Sequence, residues 1–146
     1  MQRIENYVTL EFLSRSSNES FARVAAAGFA AQLDPTLDEL GDIKTAVSEA
    51  VTNAIVHGYP DRLGRIVVKL KLLENNTLEI TVRDWGKGIE DIQQARQPLF
   101  TTGGEERSGM GFTIMESFMD RLTVKSTPGR GTTVTMRRRI SARIKR

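Results

Sequence analysis

Cysteine is absent from the 146 residues, which excludes disulfide scaffolds, thiolate zinc sites and cysteine nucleophiles together. Histidine occurs once, at His57, too few for an imidazole-based metal site, and the carboxylates are scattered. With 4 prolines, 12 glycines and 39% hydrophobic residues, the chain is neither collagen-like nor disordered in composition. No apolar run approaches the roughly 18 residues of a membrane span. The stretch Met1 to Leu13 also lacks a signal peptide's uninterrupted apolar segment, so a cytoplasmic protein with no membrane partner is expected. What is left is chemistry run by carboxylates, amides, hydroxyls and backbone.

The length fits one continuous domain, residues 1–146, without repeats or linkers. Its net charge of +3 conceals an asymmetry: Arg137, Arg138, Arg139, Arg143, Lys145 and Arg146 are six cations in a tail, 137–146, that has no acid. Taking those 6 from the 21 Lys+Arg leaves 15 against 18 Asp+Glu, a net of −3. The basic character therefore reads as a solvated tail, and no direct nucleic-acid partner is expected.

Along the chain, Val8, Leu10 and Phe12 alternate as in a half-buried strand. Ser17 or Asn18 opens a helical pattern carrying Phe21, Val24, Ala25, Phe29 and Leu33, which Asp34 and Pro35 close. Thr36 and Glu39 form a capping box before a second helix with Leu40, Ile43, Val47, Ala50, Val51 and Ala54 at helical spacing, ended by Gly58 and Pro60. Ile66 to Leu73 and Leu78 to Val82 read as paired antiparallel strands about the turn Glu74, Asn75, Asn76. A segment with little periodicity, Gly86 to Ser108, precedes a short helix from about Gly111 to Met119 and two more strands, Leu122 to Ser126 and Thr132 to Met136. This order predicts an α/β (α+β) two-layer sandwich, with helices packed on one face of a mixed, mainly antiparallel sheet.

The long segment is bounded by Asp84-Trp85-Gly86-Lys87-Gly88 after a strand and by Gly109-Met110-Gly111 before a helix. Glycines in such places let backbone approach a ligand and turn N–H groups toward phosphates. No G-x-x-x-x-G-K-[ST] loop is present, and Gly109-x-Gly111 lacks the third glycine of a dinucleotide fingerprint. On the second helix Glu49, Asn53 and His57 recur at i, i+4, i+8, a line along one face. A carboxylate one turn from a carboxamide suits a general base beside a Mg²⁺ ligand, whereas His57 in the last turn suits a cap on the helix dipole.

In that order, Glu49-x-x-x-Asn53, Asp84-x-Gly86-x-Gly88, Gly109-x-Gly111 and Gly131-Thr132 resemble the Bergerat nucleotide-binding fold of the GHKL superfamily, shared by gyrase-type ATPases and histidine kinases. The runs Asn18-Glu19-Ser20-Phe21-Ala22-Arg23, Ser48-Glu49-Ala50-Val51-Thr52-Asn53-Ala54-Ile55, Gln97-Pro98-Leu99-Phe100-Thr101-Thr102 and Arg107-Ser108-Gly109-Met110-Gly111-Phe112-Thr113-Ile114-Met115 are similar to the anti-sigma F factors of spore-forming bacteria, over about residues 5–137. The resemblance implies a homodimer that binds a sporulation sigma factor and, as an ATP-dependent serine kinase, phosphorylates an anti-anti-sigma factor. It implies that Asp84 accepts the adenine amino group, with Thr132 supporting that end through water and Gly86 and Gly88 letting the loop pass close to ATP or ADP. Asn53 would hold Mg²⁺, and Thr101, Thr102, Ser108, Gly109, Met110 and Gly111 would line the phosphates. Glu49 would deprotonate the substrate serine, Arg107 would neutralise the transferring phosphoryl group, and Arg23 would contact protein partners.

Two departures accompany the resemblance. Only Gly103, Gly104, Glu105 and Glu106 separate Thr102 from Arg107, a shorter lid than that family has and one expected to be more mobile when empty. Trp85 puts a large ring in the adenine box, packed either on the sheet edge or against ligand. Other readings are a nucleotide-gated binding module without kinase activity, the related kinase of a stress-response sigma factor, and a DNA-binding or histidine-kinase fragment. The last would need a phosphoacceptor histidine on a separate helix, and His57 lies inside the nucleotide helix.

Overall fold

The computed structural model describes residues 2–97 and 106–141, with residues 106–110 described through their backbone only. Five strands, β1 (Ile4–Leu13), β2 (Arg65–Leu73), β3 (Thr77–Asp84), β4 (Arg121–Thr127) and β5 (Gly131–Arg139), pair in the order β1-β2-β3-β5-β4. The expected sandwich with a mainly antiparallel sheet is present, and every described ladder is antiparallel. Alternation assigns the faces: Ile66, Val68, Leu70, Leu78, Ile80 and Val82 are buried under the helices, while Lys69 and Arg83 stand exposed on the other side. Asn75 and Asn76, both at positive φ (64° and 56°), close the β2–β3 hairpin in a conformation asparagine tolerates.

Helices α1 (Ser17–Ala30) and α2 (Leu37–Asn53) lie side by side on the sheet, with α3 (Ile92–Arg96) and α4 (Glu106–Phe118) further along. The apolar face expected of α1 is buried only in part, with Phe29 and Leu33 packed against the core. Ala22, Ala26 and Ala30, at i, i+4, i+8, are fully buried, while Phe21 and Val24 are 55% and 64% exposed. Small side chains let α1 approach α2 closely, and that contact outweighs burying two larger residues at the helix margin.

Three further expectations are corrected. The segment after Gly86 is not without structure, since Asp91 caps α3 by accepting the Gln94 N–H at 3.0 Å. Helix α4 begins at Glu106 rather than near Gly111, so Gly109 and Gly111 lie within it instead of before it. The basic tail is in part β5: Arg137 pairs with Glu79 at 2.7 Å and Arg138 with Asp42 at 2.9 Å, and the Arg139 N–H reaches Asp120. These cations fasten the last strand to its neighbours; residues 142–146 lie outside the described residues.

The Thr36–Glu39 capping box forms as expected, and Glu39 does more than cap. Its carboxylate also accepts the Ser141 N–H and hydroxyl at 2.9 and 2.8 Å, tying the start of α2 to the end of β5. Burial pushes the Glu39 carboxyl up, but the hydrogen bonds from Thr36 and Ser141 outweigh it and hold the pKa at about 2. A depressed pKa contributes stability above the ordinary value of 4.5 that is lost as pH falls through about 2. Glu39→Gln should therefore cost about 1 kcal/mol at pH 7, and the gap to the unmodified chain should close between pH 4.5 and 2 in urea unfolding followed by circular dichroism.

Candidate active site

A cleft of about 580 Å³ opens where α2 ends, between β3, β5 and α4, a volume that suits a small-molecule ligand. Its walls are apolar, built from Ala50, Val82, Ile89, Phe112 and Val134. Its polar side includes Asn53, His57, Asp84, Lys87, Gln94 and Thr132, and Gly88 forms part of the rim. Five residues singled out in the sequence, Asn53, His57, Asp84, Gly88 and Thr132, thus meet on one cavity.

Asp84 ends β3 on the helix side of the sheet and is only 6% exposed. Burial raises its pKa, and the Gly86 and Thr132 N–H groups that point to it offset this in part. One oxygen accepts the Gly86 N–H at 2.9 Å. The carboxylate is left with acceptor capacity at the cleft floor, suited to a donor such as an amino group. Gly86 lies beneath the floor, where any Cβ would strike the Gly58 carbonyl. Gly88 has φ +77° and sits against the Thr127 carbonyl, so both positions require glycine.

Thr132 lies directly across the ladder from Asp84. Its hydroxyl is 2.9 Å from that of Ser126, which donates to the Gly131 carbonyl and accepts the Ile89 N–H. Ser126 has one proton and uses it on Gly131, so Thr132 donates to Ser126 and presents lone pairs onward. Ser126 carries no motif and sequence reasoning missed it; its place is fixed by long-range strand pairing.

Asn53 is the last residue of α2, half-buried, and its amide makes no hydrogen bond among the described residues. A Cβ on Gly111 would lie 3.0 Å from the Asn53 Nδ2 and 3.1 Å from its Oδ1, so the glycine keeps room around the amide. Among the described residues no group of three His, Cys, Asp or Glu could hold a metal ion. A hard cation here would take one amide oxygen from the protein and the rest from a ligand's oxygens and water, the pattern Mg²⁺ favours beside phosphates. Glu49, one turn earlier and half-buried, is not among the residues that line the cleft.

The helix beyond Asn53 continues as a π-turn, Ala54–Gly58, which the 3.6-residue periodicity did not anticipate. His57 lies in that turn and lines the cleft. Trp85 does not line it: the ring packs against the guanidinium groups of Arg65 and Arg83, at 3.9 and 4.6 Å. Arg23 is on α1, bonded to Glu19 at 3.1 Å, Ser20 at 3.2 Å and Ser48 at 3.4 Å. Thr101, Thr102 and the short lid lie outside the described residues; Arg107, Ser108, Gly109 and Met110 fall on the first turns of α4, where side chains are not described.

Residues 14–138 match the family model of the histidine kinase-like ATPase domain, and the chain belongs to that family. The anti-sigma F factor of Thermoanaerobacter sp. (strain X514) is 59% identical over 138 residues, 94% of this chain and 96% of its own. That of Geobacillus stearothermophilus is 58% identical over 136 residues, 92% and 93% of the two chains. The chain is a member of the anti-sigma F factor family, which supports an anti-sigma function. Among solved structures, the RsbU and RsbW domains of Rv1364c from Mycobacterium tuberculosis share the fold with a TM-score of 0.68 at 20% identity, over 92% of this chain and 32% of that one. The blue-light activated histidine kinase of Erythrobacter litoralis EL346 does so with a TM-score of 0.58 at 21% identity, over 80% and 40%. Among the described residues, no helix is long and apolar enough to cross a membrane.

The raised pKa of Asp84 has a thermodynamic consequence. A carboxyl raised above its ordinary 3.8 contributes stability below that value and loses it as pH rises through the raised one, so at neutral pH the ionised group is a cost. Asp84→Asn, which keeps an oxygen for the Gly86 N–H, should melt about 2–4 °C higher at pH 7. Thermal melts across pH should show the gap closing below 3.8, while nucleotide titration should show ADP binding weakened by about 10- to 100-fold.

Proposed function

We propose that this chain is an ATP-dependent protein serine kinase that binds a sporulation sigma factor and phosphorylates its anti-anti-sigma antagonist. The observation that carries the proposal is the placing of Asp84 and Asn53 on one apolar-walled cleft, with Glu49 a helical turn before Asn53. Adenine fits between Val82, Phe112 and Val134 with its amino group toward Asp84. Asn53 offers its Oδ1 to Mg²⁺, which neutralises phosphate charge when bound. The first turn of α4 presents backbone N–H groups without an i−4 partner, that of Ser108 among them, to the phosphates.

In this reading Glu49 accepts the proton of the substrate serine hydroxyl. The serine oxygen forms a bond to the γ-phosphorus as the bond to the bridging oxygen breaks, and ADP leaves with the electron pair. Arg107 neutralises the transferring group, and Thr101, Thr102 and Met110 complete its surround. Arg23 is the partner contact. It lies on α1 between the exposed Phe21 and Val24, apolar side chains that the core does not use, and bonds to Ser48 beside Glu49. A partner docked on α1 thus lies one hydrogen bond from the helix that carries the base. The working unit is a cytoplasmic homodimer, and the sigma factor is retained according to whether ATP or ADP fills the cleft.

The decisive experiment is transfer of labelled phosphate from Mg-ATP to the anti-anti-sigma protein, with peptide mapping of the label. One partner serine should be labelled by the unmodified chain, and Glu49→Gln should reduce transfer by about 10²–10⁴-fold without weakening ATP binding. Binding of ATP without transfer by the unmodified chain would leave a nucleotide-gated binding module and remove the kinase.

A further inference from the structure

The turn that ends α2 packs against the Asp84 loop, with Gly58 itself on the cleft wall. The π-turn brings Gly58 broadside to Asp84: a Cβ there would lie 2.9 Å from the Asp84 Cγ and 3.0 and 3.1 Å from its two oxygens. The Gly58 carbonyl accepts the Lys87 N–H at 3.0 Å. Tyr59, only 5% exposed, accepts the Trp85 N–H on its hydroxyl at 2.7 Å and donates the hydroxyl proton to the Arg65 carbonyl at 2.6 Å. Its ring is held against Gly64, where any Cβ would overlap it. The peptide N–H groups of residues 85 and 87 are therefore both held by residues 58 and 59, while the N–H of residue 86 between them goes to Asp84 itself.

We propose that Gly58 and Tyr59 are positioning residues for base recognition, setting the height and direction of the Asp84 carboxylate and with it the preference for a purine that carries a 6-amino group over one that carries a 6-carbonyl. The inference rests on the nucleotide reading of the cleft. The physical reason is that a carboxylate facing an amino group forms a hydrogen bond, whereas facing a carbonyl it sets two acceptors against each other. That discrimination is steep only if the carboxylate cannot retreat. Gly58, packed so near the carboxylate that an added Cβ would come within 2.9 Å of it, and Tyr59, clamping the next peptide, remove the room to retreat.

The test is calorimetric titration of the full chain with Mg-ADP and Mg-IDP, which differ at the 6-position. The unmodified chain should prefer ADP by at least about tenfold. Tyr59→Phe, which removes the hydroxyl and orphans the Trp85 N–H, should weaken ADP about tenfold and leave IDP within about twofold. Gly58→Ala should narrow the ADP/IDP ratio at least as much, and it leaves the hydroxyl bonds of Tyr59 in place, so either variant alone can carry the result. In Tyr59→Phe/Asp84→Asn the ratio should fall no further than in Asp84→Asn, because Tyr59 acts through that carboxylate. Variants that keep the full ratio, or that weaken ADP and IDP equally alongside a lower melting temperature, would show Gly58 and Tyr59 to be structural only and overturn the inference. An unmodified chain that binds neither nucleotide would overturn the nucleotide reading and this inference with it, a result distinguishable from the first.

Discussion

Burial of the Asp84 carboxylate is the constraint around which the nucleotide end of the molecule is arranged. A carboxylate that is 6% exposed must be hydrogen-bonded or it unfolds its surroundings, and the neighbouring backbone supplies N–H groups from Gly86 and Thr132. Supplying them requires the chain to fold tightly past Gly86, which a side chain would prevent by meeting the Gly58 carbonyl. That contact in turn fixes where α2 ends, because only a wider last turn brings Gly58 to the place. The π-turn, the two close-packed glycines and the buried acid are one solution to one requirement.

The second requirement is closeness between α1 and α2, met by the alanines at 22, 26 and 30. Close approach puts Arg23 within hydrogen-bond reach of Ser48 across the seam, and Ser48 also donates to Glu19 at 2.7 Å. The same alanine face turns Phe21 and Val24 outward. Two exposed apolar side chains flanking a half-exposed arginine on a helix that packs well without them make the kind of surface protein interfaces use as an anchor. Core economy on one side of α1 thereby leaves exposed apolar surface on the other.

Much of this was legible in the chain because local rules and fold agree there: the Thr36–Glu39 box, the alternation of β2 and β3 and the Asn75–Asn76 turn all sit where their chemistry requires. The disagreements have specific causes. Helical spacing alone cannot choose between an alanine face and a phenylalanine face on α1, since the choice belongs to α2. The cap at Asp91 followed a visible pattern, an acid three residues before Gln94, yet the surrounding glycine and proline content masked it. Arg137 and Arg138 looked like tail because their partners, Glu79 and Asp42, are 58 and 96 residues away. Ser126, Gly58 and Tyr59 share that difficulty: each acts on at least one residue more than 25 positions away, and no local pattern shows that contact.

The direction of α2 adds an electrostatic argument to the geometric one. Its N-terminus carries the positive end of the helix dipole, and there Glu39 is ionised and held by hydrogen bonds, with its pKa at about 2. Its C-terminus, the negative end, runs through the π-turn toward Asp84, a second carboxylate, whose pKa burial raises. The two acids therefore sit at opposite ends of one helix, one stabilised by its surroundings and the other penalised by them. The carboxylate borders the apolar part of the cleft wall beside a helix end of like sign, and a donor placed there relieves part of both costs. The discomfort of the buried acid adds to the new hydrogen bond in favouring an amino group at such a site. The fold can bear that discomfort because Glu39, Arg137 and Arg138 secure α2 and β5 elsewhere through well-satisfied charges.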